Sequence, residues 1–263
     1  MKSKILLIPG ENTLEKVSCC DFLFPLDGFC VGMDRTFSLE NIPDHSYIYV
    51  NRLLDSRGIE EFVKLLPLFS KKVKGIVFED LGILNVLKEN SITVETIFYG
   101  THGVCSSYTA NSLLNDVDTV ILSNDITKEE IDEILERVTK KVGLMIFGHL
   151  PYMYSRRTLL TNYSEHFKLE KKKKRIVKEQ FSKQEFLVVE DEFGTMFYDP
   201  LVFDGRVLLN KDVSYFLVDL RFEHVSSIKQ FMQDFLTGNT IPNTTDGFLC
   251  RKTIYRLPPK GGV

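Results

Sequence analysis

Alternating strands and helices place this chain in the α/β class, and three observations predict it. Short apolar runs with strand character recur with helix-compatible stretches between them through the first two thirds. Most of these runs stop at polar or ionisable residues, as strand ends do where an α/β protein keeps its chemistry. The 263 residues, 43% hydrophobic, suffice for one large core, and one (β/α) barrel takes roughly 250 residues. Alternation alone leaves a doubly wound sheet and a closed or partly closed barrel both open.

The elements follow in order. Residues 4–8 read as a strand, and 21–24 and 29–32 are short apolar runs. Residues 47–50 form a strand ending at Asn51. Residues 59–69 have helical spacing, with Ile59, Phe62, Val63, Leu65 and Leu66 on one side. Residues 75–78 form a strand ending in Glu79-Asp80, and a helix follows over 81–88. The strand at 94–98 runs into Tyr99-Gly100-Thr101-His102, and 108–114 suits a helix. The strand at 119–122 ends at Ser123-Asn124-Asp125. Residues 127–138 are the clearest helix: Thr127 is a good N-cap, Glu130 holds the capping-box position, and Ile131, Ile134, Leu135 and Val138 share a face. Residues 142–147 are the next strand. From residue 167 the character changes. A basic run, Lys171 to Arg175, lies in a helix-compatible stretch over 169–180. Residues 186–189 and 195–198 flank a turn and predict a β-hairpin. A strand over 215–219, an amphipathic helix over 226–237 and a loose tail at 258–262 complete the chain. Residues 1–166 are expected to form the main α/β portion, and 167–263 to complete the same domain.

Composition excludes several classes. A net charge of −3, from 33 basic and 36 acidic side chains, exerts no global pull on nucleic acid or membrane. No apolar run approaches the roughly 20 residues of a membrane helix, and the apolar part of residues 1–10 is too short for a signal peptide. A cytoplasmic protein without membrane contact is the expectation. The five cysteines include no CxxC pair, so no structural zinc, redox motif or iron–sulfur cluster is expected, and no other cofactor is called for. No GxGxxG, GxxxxGK[ST] or HExxH occurs. His102 and Cys105 share one strand-end loop; they read either as a nucleophile–base pair or as a turn histidine beside a core thiol.

The densest stretch is residues 148–163, GHLPYMYSRRTLLTNY. Phe147-Gly148-His149, then Tyr154-Ser155-Arg156-Arg157, then Leu159-Leu160-Thr161-Asn162-Tyr163 resembles the signature of the collagenase-like peptidase family, with its His-Gly order transposed. Similar motifs follow the family's order elsewhere. They are Arg35-Thr36-Phe37-Ser38-Leu39-Glu40, Asn51, Glu79-Asp80-Leu81-Gly82, residues 101–111, Glu190-Asp191, Asp219-Leu220-Arg221 and residues 247–253. At 124–125 the family's Arg-Glu is Asn-Asp here. The resemblance implies an incomplete or distorted (β/α) TIM-like barrel followed by a small β-rich C-terminal section. Members act in RNA modification, including hydroxylation of the wobble uridine of tRNA, often as paired subunits, and many hold an iron–sulfur cluster on cysteines that this chain lacks between Cys105 and Cys250. Two classes follow: an accessory or binding subunit for tRNA or other RNA, partnered by a cluster-bearing paralogous subunit, or an endopeptidase. For the first, Tyr152, Tyr154 and Tyr163 interleaved with Arg156 and Arg157 suit base stacking and phosphate contact. The candidate catalytic residues are His149, His102 and Glu79. The candidate binding residues are Arg156, Arg157, Asn162, Tyr163, Asn51, Asp80 and Arg221, because strand ends converge on one face. No metal ligands are assigned.

Overall fold

The computed structural model describes residues 3–10, 14–15 and 17–251. The expected tail at 258–262 and the end of the 247–253 stretch lie outside them. In chain order the elements are β1 (Lys4–Ile8), β2 (Asp21–Pro25), β3 (Ser46–Val50), α1 (Ser56–Val63), α2 (Phe69–Lys72), β4 (Val73–Phe78), α3 (Leu81–Glu89), β5 (Glu95–Phe98), α4 (Ser107–Leu114), β6 (Thr119–Val120) and α5 (Lys128–Leu135). Then come β7 (Gly143–Ser155), α6 (Leu159–His166), β8 (Lys174–Lys178), β9 (Glu185–Asp191), β10 (Gly194–Asp204), β11 (Tyr215–Asp219), α7 (Ile228–Thr237) and β12 (Thr244–Thr245).

These strands form one curled mixed sheet, ordered β6-β5-β4-β3-β2-β1-β11-β7-β10-β9-β8. From β6 to β7 every neighbouring pair is parallel. A lone parallel bridge between Ile121 and Gly143 joins the β6 end to β7 and brings the eight strands round into a ring. This is a distorted (β/α) barrel, with one seam far thinner than the rest. Its wall is legible in burial: all five residues of β3 and of β11 are buried, as strands covered on both faces must be. Near the N-terminal ends of the strands, the Tyr47 hydroxyl donates to Glu95 Oε2 at 2.8 Å and lies 3.1 Å from the Tyr215 hydroxyl. A Cβ on Gly75 would stand 2.5 Å from the Tyr47 ring, so only glycine lets the strands close over that tyrosine.

Local chemistry sets the helix starts. Asp55, Asp80 and Ser106 cap α1, α3 and α4, and Thr127 and Glu130 form the predicted capping box of α5. The single helix expected over 59–69 is instead α1, a 3₁₀ turn containing Pro67, and α2; proline removes the backbone donor that a continuous helix needs.

Two larger departures shape the functional face. The strand expected to stop at Phe147 runs on to Ser155, so much of the 148–163 stretch is strand rather than loop. Beyond the ring β7 pairs with β10 in antiparallel fashion. The basic stretch at 169–180 is not a helix: residues 174–178 form β8, paired with β9 across Ile176–Leu187 and Val177–Phe186. Cross-strand packing of β-branched residues there overrides the helix propensity of the lysines. β8, β9 and β10 thus make an antiparallel arm growing out of the barrel wall, after which the chain returns as β11 between β1 and β7.

Candidate functional site at the barrel mouth

The candidate site lies past the C-terminal ends of the parallel strands. At its floor, Asp219 ends β11 and turns its carboxylate onto Arg221, whose Nε donates to Asp219 Oδ2 at 2.7 Å. Arg221 Nη1 donates to the Tyr198 hydroxyl at 2.9 Å, and Tyr198 in turn donates to the Gly32 carbonyl at 3.2 Å. Burial, the largest single influence, works against the Arg221 charge, but Asp219 together with the oxygens of Tyr198 and Tyr49 outweighs it and holds the guanidinium protonated well above its ordinary range. Tyr49 from the end of β3 and Tyr99 just past β5 stand beside this pair. Burial pushes both phenols up, so both remain neutral hydroxyls. The Tyr99 hydroxyl lies 3.3 Å from Met145 Sδ. Gly148 has φ +134°, and a Cβ there would stand 2.7 Å from Asp219 Cβ; glycine is what lets β7 pass this ion pair.

Above the floor opens a cleft of about 400 Å³, lined by Asn51, Leu53, Glu79, Phe98, Thr101, His102, Pro151, Met153, Tyr154 and Met196 among others. Glu79 accepts from Thr101 Oγ1 at 2.7 Å. Burial raises its carboxyl to about 7, against that hydrogen bond and the charges of Arg221 and His102, which lower it. His102 Nδ1 lies 2.6 Å from Asp125 Oδ2, and Ser123 Oγ donates to the same oxygen at 3.1 Å. The bond to Asp125 raises the imidazole above its ordinary value, although partial burial lowers it.

Five expected site residues therefore meet at the mouth: Asn51, Glu79, His102, His149 and Arg221. Their roles differ. Asn51 is buried and spends its amide on Val31, accepting from Val31 N at 2.9 Å and donating to Val31 O at 3.1 Å, which pins the loop after β2. His149 meets two acceptors, the Asp199 carbonyl at 2.6 Å from Nδ1 and Glu223 Oε1 at 3.1 Å from Nε2, and so ties the arm to the loop after β11. Asp80 does not reach the cleft; it caps α3 through Gly82 N and also accepts from Leu54 N at 2.6 Å. Arg156 is exposed at the rim and bonds Asp55 at 2.8 Å. Arg157 is exposed, and no side-chain partner meets it among the described residues. Asn162 and Tyr163 stand exposed on α6 outside the cleft, with Tyr163 packed against Phe167.

Sequence reasoning left Tyr49, Tyr99, Tyr198, Thr101 and Asp125 without roles. Tyr49 lies two residues before Asn51, on the same face of a strand, and that period was the available signal. Tyr198 comes from the arm, which no strand-end rule reaches.

The Cys105–His102 nucleophile–base pair does not form: Cys105 Sγ donates to the His102 backbone oxygen at 3.4 Å, and burial raises its thiol. Cys30 donates to the Tyr49 carbonyl, with burial raising it to about 12, the behaviour of a core thiol. Among the described residues no three His, Cys, Asp or Glu side chains stand together as metal ligands. The cluster that many members of the resembled family hold needs converging thiolates, and this donor set does not fit one. Among the described residues no helix is long and apolar enough to cross a membrane.

No curated protein matches the chain. The solved structure of the U32 peptidase Mk0906 is similar with a TM-score of 0.49 and 13% identity, over 83% of this chain and 92% of that one. The model of Peptidase family U32 matches residues 39–177, more than half of the chain and the part that holds Asn51, Glu79, His102, His149 and the arginine pair, so the chain belongs to Peptidase family U32.

Proposed function

We propose that this chain is an RNA-binding member of its family, serving in the cytoplasm as an accessory subunit in an RNA modification such as hydroxylation of the tRNA wobble uridine, beside a cluster-bearing paralogous subunit. The observation that carries this reading is the rim. Arg157 is exposed with no side-chain partner among the described residues, Arg156 beside it pairs with the exposed Asp55, and Tyr154 lines the cleft two residues earlier. Exposed guanidinium groups beside aromatic faces are the chemistry that holds phosphate and stacked bases. The basic run adds less. Lys171, Lys172 and Lys174 within it, and Lys178 beyond it, are each paired with a carboxylate, so their charge is largely answered within the chain. The endopeptidase reading has no side-chain nucleophile paired with a base.

The test is a fluorescence-anisotropy titration of labelled tRNA with the full chain at two salt concentrations. Arg156→Ala/Arg157→Ala is expected to fold, since an exposed ion pair is worth only about 0–1 kcal/mol. It should weaken binding at least about tenfold, roughly 1.4 kcal/mol, and flatten the salt dependence. Absence of tRNA binding by the wild-type chain at low salt, or equal binding by the double variant, refutes the reading.

A further inference from the structure

The arm ends in an open strand. β8 pairs with β9 on one side and, among the described residues, with no strand on the other. The phase of that ladder is fixed at both ends: Glu190 N donates to the Lys173 carbonyl and Glu179 N to the Gln184 carbonyl, each at 2.8 Å. Arg175 and Val177 therefore turn their backbone groups toward β9, while Lys174, Ile176 and Lys178 turn theirs outward. Three donors and three acceptors line the free edge. Apolar side chains stand along it: Ile176 is 50% exposed, and Phe181 in the turn that follows is 88% exposed. The surroundings are basic, with eight basic and two acidic side chains over residues 168–183. Lys174 holds Asp34 at 2.7 Å, and the pairs of Lys171, Lys172 and Lys178 join exposed chains, a weak kind of bond. Among the described residues no carboxylate pairs with Lys168, Lys173, Arg175 or Lys183. Arg175 Nη2 donates to the Glu170 carbonyl at 2.7 Å, and its Nε has no partner.

We infer that β8 is a docking edge for an acidic, extended segment of another protein, which joins the sheet as a strand antiparallel to β8. Charge selects the occupant. Lysines on a sheet edge oppose pairing with strands of like charge. The antiparallel register that would match all three outward residues with those of a second copy sets Lys174 against the copy's Lys178, so the edge repels its own kind. A strand with carboxylates opposite Lys174, Arg175 and Lys178, and apolar residues opposite Ile176 and Val177, answers the cations and the backbone groups together. Read from its N-terminus, such a segment runs acidic, apolar, apolar, acidic, acidic. RNA would answer the charge alone and leave the row of backbone groups and Ile176 unused. The docking edge stands apart from the RNA-binding reading, which needs only the rim.

The probe is a capped, dye-labelled peptide with a central Glu-Val-Val-Glu-Glu, titrated into the full chain by fluorescence anisotropy at two salt concentrations. It should bind at low salt and weaken as salt rises. Replacing its glutamates by lysines should weaken binding at least about tenfold, and so should N-methylation of its second Val, whose amide faces Ile176. Hydrogen exchange in the complex should slow at the amides of Lys174, Ile176 and Lys178. Ile176→Pro removes an outward donor and no bond to β9, a place where a sheet tolerates proline. This variant should also lose at least about tenfold in peptide affinity and bind tRNA as the wild type does, so that either reading can fail while the other stands. Should it not fold, the N-methylated peptide decides the matter on the wild-type chain. No binding of the acidic peptide at low salt, unchanged affinity after N-methylation, or slowed exchange elsewhere than β8 overturns the inference. Displacement of the peptide by tRNA, or a dimer of the free chain that protects the same three amides, would assign the edge to RNA or to a second copy and overturn it equally.

Discussion

At the scale of the residue, the mouth of this barrel is a set of charges kept or suppressed by burial. Arg221 is kept charged by Asp219, and Glu79 is held near the balance point by its surroundings. The second case has a consequence for stability. The Glu79 carboxyl is raised from 4.5 to about 7 in the fold, so the folded state holds that proton more tightly than the unfolded chain does. Its contribution is fully present below pH 4.5 and is lost as pH rises through about 7. Melting temperature measured by calorimetry between pH 4.5 and 8 should show the wild type losing on the order of 1–3 kcal/mol to this group. Glu79→Gln should remove that component; identical pH curves for the two proteins would refute the burial argument. Glu79, Asn51 and Arg221 were legible from sequence because each stands at or just past the end of an apolar run. Their division of labour was not. That Asn51 spends both halves of its amide on Val31 depends on a loop 20 residues away, which no local pattern encodes.

At the scale of the element, α6 shows why the 148–163 stretch was harder to read than the helices before it. α5 announces itself by its own capping box. α6 has no side-chain cap from Thr158; its first turn is held by Glu190 on β9, which accepts from Leu160 N at 2.7 Å and Thr161 N at 3.0 Å. The carboxylate also takes the Thr195 hydroxyl at 2.8 Å and sits at the positive end of the helix dipole. Glu190→Ala should therefore strand several buried donors and cost about 2–4 kcal/mol in urea unfolding, with exchange of the α6 amides rising before that of the barrel strands. A cost below about 0.5 kcal/mol would mean that water serves those donors equally well. β8 escaped sequence reading for a related reason: its strand character comes from its partner β9, across which Ile176 and Val177 pair with Leu187 and Phe186.

At the scale of the whole molecule, the alternation of strands and helices was enough for the class, and the order of family-like motifs for the barrel. What neither showed is how unevenly the ring is joined. β1 and β11 are in register over five residue pairs, from Lys4–Tyr215 to Ile8–Asp219. The β6–β7 seam rests on one bridge and the Leu122 N to Gly143 O hydrogen bond at 3.0 Å. Native-state hydrogen exchange should find the Leu122 amide opening at a lower free energy than the amides of Leu6 and Leu217, because local opening follows the thinnest pairing; equal protection at both would show that the seam is as firm as the wall. The position of β11 has a different consequence, for a chain emerging from the ribosome. β1 is made some two hundred residues before its second neighbour, β11 at Tyr215–Asp219. Until then β1 and β7 each offer an unpaired edge, and the mouth has neither Asp219 nor Arg221 to order it. Synthesis at about 5–20 residues per second leaves those edges open for many seconds, so the nascent chain depends on whatever shields exposed strands in the cell, and one late strand finishes wall and site together.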